Sequence, residues 1–193
     1  MQTQAMPLTL IDAVLPRRRI VHNVILVVVF SVLIALSAQI AIPLPFTPVP
    51  ITMQTLTVLL TGLLLGSRLG MATLVTYLVE GVVGLPVFTQ WSSGIAHLLG
   101  PTGGYLIGFV FAAGLVGFLA ERGWDRRIWT TLLAMILGNL VIYAFGVTWL
   151  STFLGVGRAV AGGMLPFLIG DAVKIALAMV ALPGSWALLQ RHG

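Results

Sequence analysis

LPFLIGDAVKIALAMVAL, residues 165–182, is an apolar run long enough to enter a bilayer, interrupted by one aspartate and one lysine. Asp171 and Lys174 stand three residues apart, so on a helix both side chains project into one sector. Each such residue costs roughly 2.5–3.5 kcal/mol near the centre of a membrane helix, about 5–7 kcal/mol for the two before any pairing. Counted from Leu165 at ~1.5 Å per residue, Asp171 lies roughly 9 Å and Lys174 roughly 14 Å along the helix. A self-neutralising pair adds little stability over apolar packing, whereas ionisable residues inside a membrane mark ligand sites and pathways. The pair is therefore read as the docking point of a ligand.

The rest of the chain suits that setting. Of 193 residues 59% are hydrophobic and 8% charged, with a mean hydropathy of +1.08, well outside the range of soluble domains. Between His22 and Glu121 the only Asp, Glu, Lys or Arg residues are Arg68 and Glu80. The reading is an all-α integral membrane protein, a single domain over residues 1–193 with six transmembrane helices at about 23–42, 53–66, 69–84, 103–121, 128–147 and 164–182. Residues 1–22 form a cytoplasmic lead-in. An even number of spans puts both termini on one side. With both cytoplasmic, Arg17, Arg18, Arg19, Arg68, Arg122, Arg126, Arg127 and Arg191 fall inside and Arg158 alone outside, a clear positive-inside bias. That distribution accounts for the net charge of +5 without nucleic acid. The absence of cysteine removes disulfides, thiolate metal sites and cysteine nucleophiles together.

Other polar residues gather at the same, outer half. Asn139 sits near the middle of the fifth span with Tyr143 one turn further out, Gln54 opens the second span and Glu80 closes the third. The amide of Asn139 offers donors and an acceptor suited to a urea or amide group. GPTGG, residues 100–104, opens the fourth span with Thr102 as its expected N-cap and Tyr105 on the first turn. PLPFTPVP, residues 43–50, holds four prolines in eight positions and reads as a stiff outer loop, a lid with Phe46 as its apolar plug. The connection 85–102 is long for a link between membrane helices and rich in apolar residues, so it is expected to fold into the outer mouth, with Phe88 and Trp91 as walls. Ser31 and Ala35 give the first span a small-residue face that another helix can approach closely.

Catalysis has no residues to carry it. There is no GxxxxGK[ST], HExxH or GxSxG run, and His22, His97 and His192 lie far apart. Neither catalytic nor metal-binding residues are assigned, the chain is not read as an enzyme, and it carries no cofactor of its own.

VPITMQTLTVLLTGLLLGSRLG, YLVEGVVGLPVF, GPTGGYLIGF, GNLVIYAFGV and GDAVKIALA follow one another from residue 49 to residue 178. In these blocks the chain resembles the BioY family, the biotin-binding S components of energy-coupling factor transporters. The resemblance implies a multi-pass subunit of the bacterial inner membrane that captures biotin from outside. It also implies a partner module, one transmembrane scaffold protein and two ATPases that use the ATP; association with further copies of the chain is the alternative. Carried over residue by residue, it implies a ligand-binding acidic and basic pair at Asp171 and Lys174 and an asparagine at Asn139. Our own expectation for the contacts is that Lys174 meets the carboxylate or part of the polar ring system and that Asp171 and Asn139 hold the ureido groups. Gln54, Glu80, Tyr105, Tyr143 and Phe88 complete the expected ligand-binding set. Two other readings stand beside it: a lone ion- or proton-coupled carrier with the pair as relay, and an intramembrane enzyme with Asp171 as base.

Overall fold

The computed structural model describes residues 9–15 and 19–192, the last three as backbone only. Arg17, Arg18 and half of the expected lead-in lie outside the described residues. In chain order the elements are α1 (Leu10–Val14), α2 (Ile20–Gln39), β1 (Ala41–Ile42), β2 (Ile51–Thr52), α3 (Gln54–Leu65), α4 (Ser67–Val82), α5 (Ile95–Leu98), α6 (Gly103–Ala120), α7 (Ile128–Leu154), α8 (Val156–Gly163) and α9 (Phe167–His192). Each stretch read as a span is helical. Four of them, α2, α6, α7 and α9, are long and apolar enough to cross a bilayer. With 12 and 16 residues, α3 and α4 reach only about 18 and 24 Å.

α6 forms the centre. Backbones meet where glycine removes the side chain: a Cβ on Gly62 of α3 would strike the Ala113 carbonyl and Val116 of α6, and one on Gly117 of α6 would strike the Gly66–Ser67 backbone. In hydrocarbon, where helices gain no hydrophobic drive toward each other, such close van der Waals approach holds a bundle together. The α3–α4 turn needs Gly66 at φ 83°. The Glu121 carboxylate at the end of α6 closes that turn, accepting from the Ser67 amide at 2.7 Å and the Ser67 hydroxyl at 2.8 Å. It thereby satisfies an open donor of α4.

Helix ends depart from the sequence reading in three places. α2 starts at Ile20, inside the expected lead-in, whose described part also forms α1 on a Thr9–Asp12 capping box. α7 runs on to Leu154. α9 continues through Pro183, past the expected end at about residue 182; Trp186 beyond it donates to the buried Asp125 carboxylate at 2.6 Å and pins the far segment to the α6–α7 turn. Pro183 lacks its own donor, an omission that membrane helices tolerate when neighbours supply packing.

The small-residue face of α2 is spent inside the molecule. Ser31 and Ala38 are fully buried, Ala35 packs against the core, and the Ser31 hydroxyl donates to Glu80 of α4 at 3.0 Å. The faces of α2 left open carry Val24, Val28, Val32 and Leu36.

Candidate ligand-binding chamber

The chamber lies between α3, α6, α7 and α9, at the end of the bundle that holds residues 41–53 and 83–102. A two-residue β-pairing builds its wall. The prolines of 43–50 keep that segment out of any ladder, but the flanking Ala41 and Ile42 pair with Thr52 and Ile51. This returns the chain to the start of α3 with the Thr52 carbonyl pointing at α9.

Lys174, 7% exposed, meets three acceptors: the Thr52 carbonyl at 2.7 Å, the Thr55 hydroxyl at 2.7 Å and Asp171 Oδ1 at 3.4 Å. An ammonium has three donors, so all are engaged, the one to Asp171 least well. Thr55 passes the interaction on, its hydroxyl donating to Asp171 Oδ1 at 3.3 Å, and the Tyr143 hydroxyl donates to Asp171 Oδ2. The aspartate therefore stands behind the chamber and orients three groups, while Lys174, Thr55 and Tyr143 line it. Because α9 begins at Phe167 rather than Leu165, the pair lies roughly 6 and 10 Å along the helix, shallower than the sequence count.

Gln54 and Tyr105 also line the chamber. The Gln54 amide donates to the Tyr77 hydroxyl at 2.8 Å, which donates on to the Val87 carbonyl at 3.1 Å. The Tyr105 hydroxyl donates to the Gly163 carbonyl at 2.7 Å, tying α6 to α8. Asn139 is buried one turn below Tyr143 on α7 but is not among the residues that line the chamber, and among the described residues its Oδ1 has no hydrogen-bond partner. Leu106, Phe109, Ile142 and Phe167 supply apolar walls.

Four further expected residues lie elsewhere. Glu80 faces α2 and the Ser31 hydroxyl, because its position on α4 looks away from α9. Phe88 is fully buried in a slot over Gly81, edge-on to Tyr77 and stacked on His97 at 4.9 Å, so it supports the wall from behind. Phe46 is 66% exposed and lies in a surface groove beside α8; Val49 and Pro50 of the same loop cover the chamber instead. Trp91 is 64% exposed and is no wall of the chamber. Thr102 precedes α6 but makes no side-chain cap; its hydroxyl is 3.5 Å from His97 Nε2.

Pro50, Thr89, His97 and Thr102 form a collar shared by the chamber and a vestibule above it. The chamber holds about 50 Å³ and the vestibule about 390 Å³. Ligand pockets usually measure roughly 300–1,000 Å³, so a vitamin-sized ligand must part the collar and take space from both. His97 is half-buried, its Nδ1 3.0 Å from the Ser92 hydroxyl, and burial holds its imidazole below the usual histidine value. The sequence reading missed Thr52, Thr55, Phe109, Phe167 and the collar; threonine and phenylalanine are too common in membrane helices to signal a site, and Thr52 contributes only its backbone.

Comparison with known proteins shows the family and the fold. The profile of the BioY family matches residues 3–191. A probable biotin transporter BioY of Pyrococcus horikoshii is 43% identical over 82% of this chain and 92% of its own length. The biotin transporter BioY of Thermotoga maritima is 38% identical over 80% of this chain and 90% of its own. Among solved structures, the S-component for biotin from an ECF-type ABC transporter superposes with a TM-score of 0.76 at 28% identity, covering 84% of this chain and 89% of that one. The chain belongs to the BioY family.

Proposed function

We propose that this chain is the substrate-capture subunit of a biotin uptake transporter, binding biotin in the chamber and vestibule between α3, α6, α7 and α9. One observation carries the site: a buried ammonium lines a cavity of apolar and aromatic walls, where a carboxylated or ureido-bearing ligand is its natural complement. Biotin has an apolar bicycle and chain, a urea and one carboxylate. Lys174 meets an anionic or carbonyl oxygen by exchanging its weakest contact, to Asp171; Asn139 and Tyr143 take ureido groups, and Asp171 holds Tyr143 and Thr55 in place. Gln54 and Tyr105 complete the polar lining.

All six long helices, α2, α3, α4, α6, α7 and α9, cross the membrane in this reading, with both termini cytoplasmic. Arg68, Arg122, Arg126 and Arg127 stand at the end away from the chamber, as a positive-inside arrangement requires. The chamber then opens outward, and the protein sits in the cell membrane with a scaffold protein and two ATPases that supply the energy for release.

The test is a calorimetric titration of the purified chain with biotin, beside Lys174→Ala. Losing a charged hydrogen bond of about 1.5–3 kcal/mol weakens binding roughly ten- to a hundredfold. Because the single change leaves Asp171 buried without its cation, the neutral pair Asp171→Asn with Lys174→Met serves as the folded control. Unchanged affinity in both removes Lys174 from the site.

A further inference from the structure

The chamber is the deep end of a longer path. Its collar opens into the vestibule, and the vestibule shares Thr47 and Pro48 with the surface groove that holds Phe46 and Arg158. That groove, of about 630 Å³, lies between the proline loop and α8. The two sides touch at Thr47 and Gly162, where an added Cβ would come within 3.1 Å. One stiff segment thus runs along all three hollows: Pro45 to Pro48 in the groove, Pro48 and Pro50 in the vestibule, Val49 and Pro50 in the chamber. A cation stands at each end. Lys174 is buried at the bottom, and Arg158 is exposed at the mouth, the one lysine or arginine on the surface of this end among the described residues. Among the described residues no hydrogen bond or ion pair holds the Arg158 guanidinium. Beside it the Phe46 ring is 66% exposed on a backbone stiffened by prolines on both sides.

Resting on the biotin reading, we infer that Arg158 and Phe46 form an outer capture site for an amphipathic monocarboxylate, which meets its carboxylate before the ligand moves along the proline loop to Lys174. A lone exposed cation beside an apolar groove raises the local concentration of anions and speeds their encounter, while release from the deep site is left unchanged. An anion captured there is already at the vestibule edge. A lipid phosphate offers the guanidinium the same anionic oxygens; the proline segment shared by the groove, the vestibule and the chamber that holds a second cation favours the soluble carboxylate, and the two are separated by rate.

The test is stopped-flow tryptophan fluorescence with the whole chain in uncharged detergent, comparing the unaltered protein, Arg158→Gln and Arg158→Glu. Biotin and its uncharged carboxamide are the probes. At low salt, biotin association is expected to slow about 3- to 10-fold in Arg158→Gln and further in Arg158→Glu. The gap closes near 0.5 M salt, where the Debye length falls below roughly 5 Å. Dissociation rates stay equal, and the carboxamide associates alike with all three. Equal biotin association rates at low salt overturn the capture site and leave the guanidinium to lipid headgroups. Equal slowing of the carboxamide also overturns it, since Arg158 then acts through structure. If biotin fails to bind the unaltered chain at all, the substrate reading falls and this inference with it; normal binding with equal rates removes only the inference.

Discussion

At the residue scale the informative atoms are those whose partners are wrong for a purely structural role. Asn139 Oδ1 is buried and has no protein partner, a configuration that costs about 1–3 kcal/mol. Under the proposed function this oxygen accepts from a ligand N–H. Asn139→Leu is therefore expected to leave thermal stability in detergent unchanged or slightly raised while biotin affinity drops about tenfold or more. A loss of stability with unchanged affinity would make Asn139 interhelical glue. That Asp171, Lys174 and Tyr143 are polar groups set among hydrocarbon was legible in the sequence, and the structure joins them in one hydrogen-bonded cluster. Their division of labour was not legible there. That Asp171 stands behind Lys174 depends on Thr55, which is 116 residues distant from it in the chain, and on a backbone carbonyl that any residue at position 52 would offer.

At the scale of elements, the connection between α4 and α6 shows how the collar is held. Gln90 and Trp91 both adopt left-handed backbone, φ 59° and 57°, a conformation that costs residues other than glycine of order 1 kcal/mol or more each. Gln39, the last residue of α2, fixes them: its amide donates to the Phe88 carbonyl at 3.0 Å and accepts from the Trp91 amide at 2.9 Å. Composition marks this connection as folded against the bundle, but the clamp depends on an amide 49 positions from Phe88 and 52 from Trp91, beyond the reach of local patterns. Phe46 escaped for a related reason, since prolines fix the stiffness of a loop and leave open which side its apex shows. His97 gives the element a pH response. Burial lowers its folded pKa, so the opened loop binds the proton more tightly and stability is lost as pH falls below the ordinary histidine value of 6.5. The thermal midpoint of the unaltered protein is expected to fall between pH 7 and pH 5 by more than that of His97→Gln. Parallel profiles would show that His97 does not titrate with the collar.

At the scale of the whole molecule, hydropathy finds the helices and their order, and the arginines mark one end of the bundle. What hydropathy leaves out is how far the helices run. α7 outlasts its expected end because Leu150 is still buried, and α9 survives a proline because Trp186 is held by Asp125 on the far side. The inward face of α2 likewise follows from tertiary contact, as Ser31 and Ala38 reach the rest of the bundle only once the α3–α4 hairpin turns back at Gly66. The result places a charged, fully hydrogen-bonded cluster beneath a contracted chamber, with a proline-lined path above it.

The most direct test of the account is a structure of the protein with biotin bound. The account predicts biotin across chamber and vestibule, the collar of Pro50, Thr89, His97 and Thr102 parted, and Lys174 Nζ within hydrogen-bond distance of a ligand oxygen in place of Asp171 Oδ1. Biotin bound elsewhere, with the Lys174 contacts to Thr52, Thr55 and Asp171 unchanged, would contradict it.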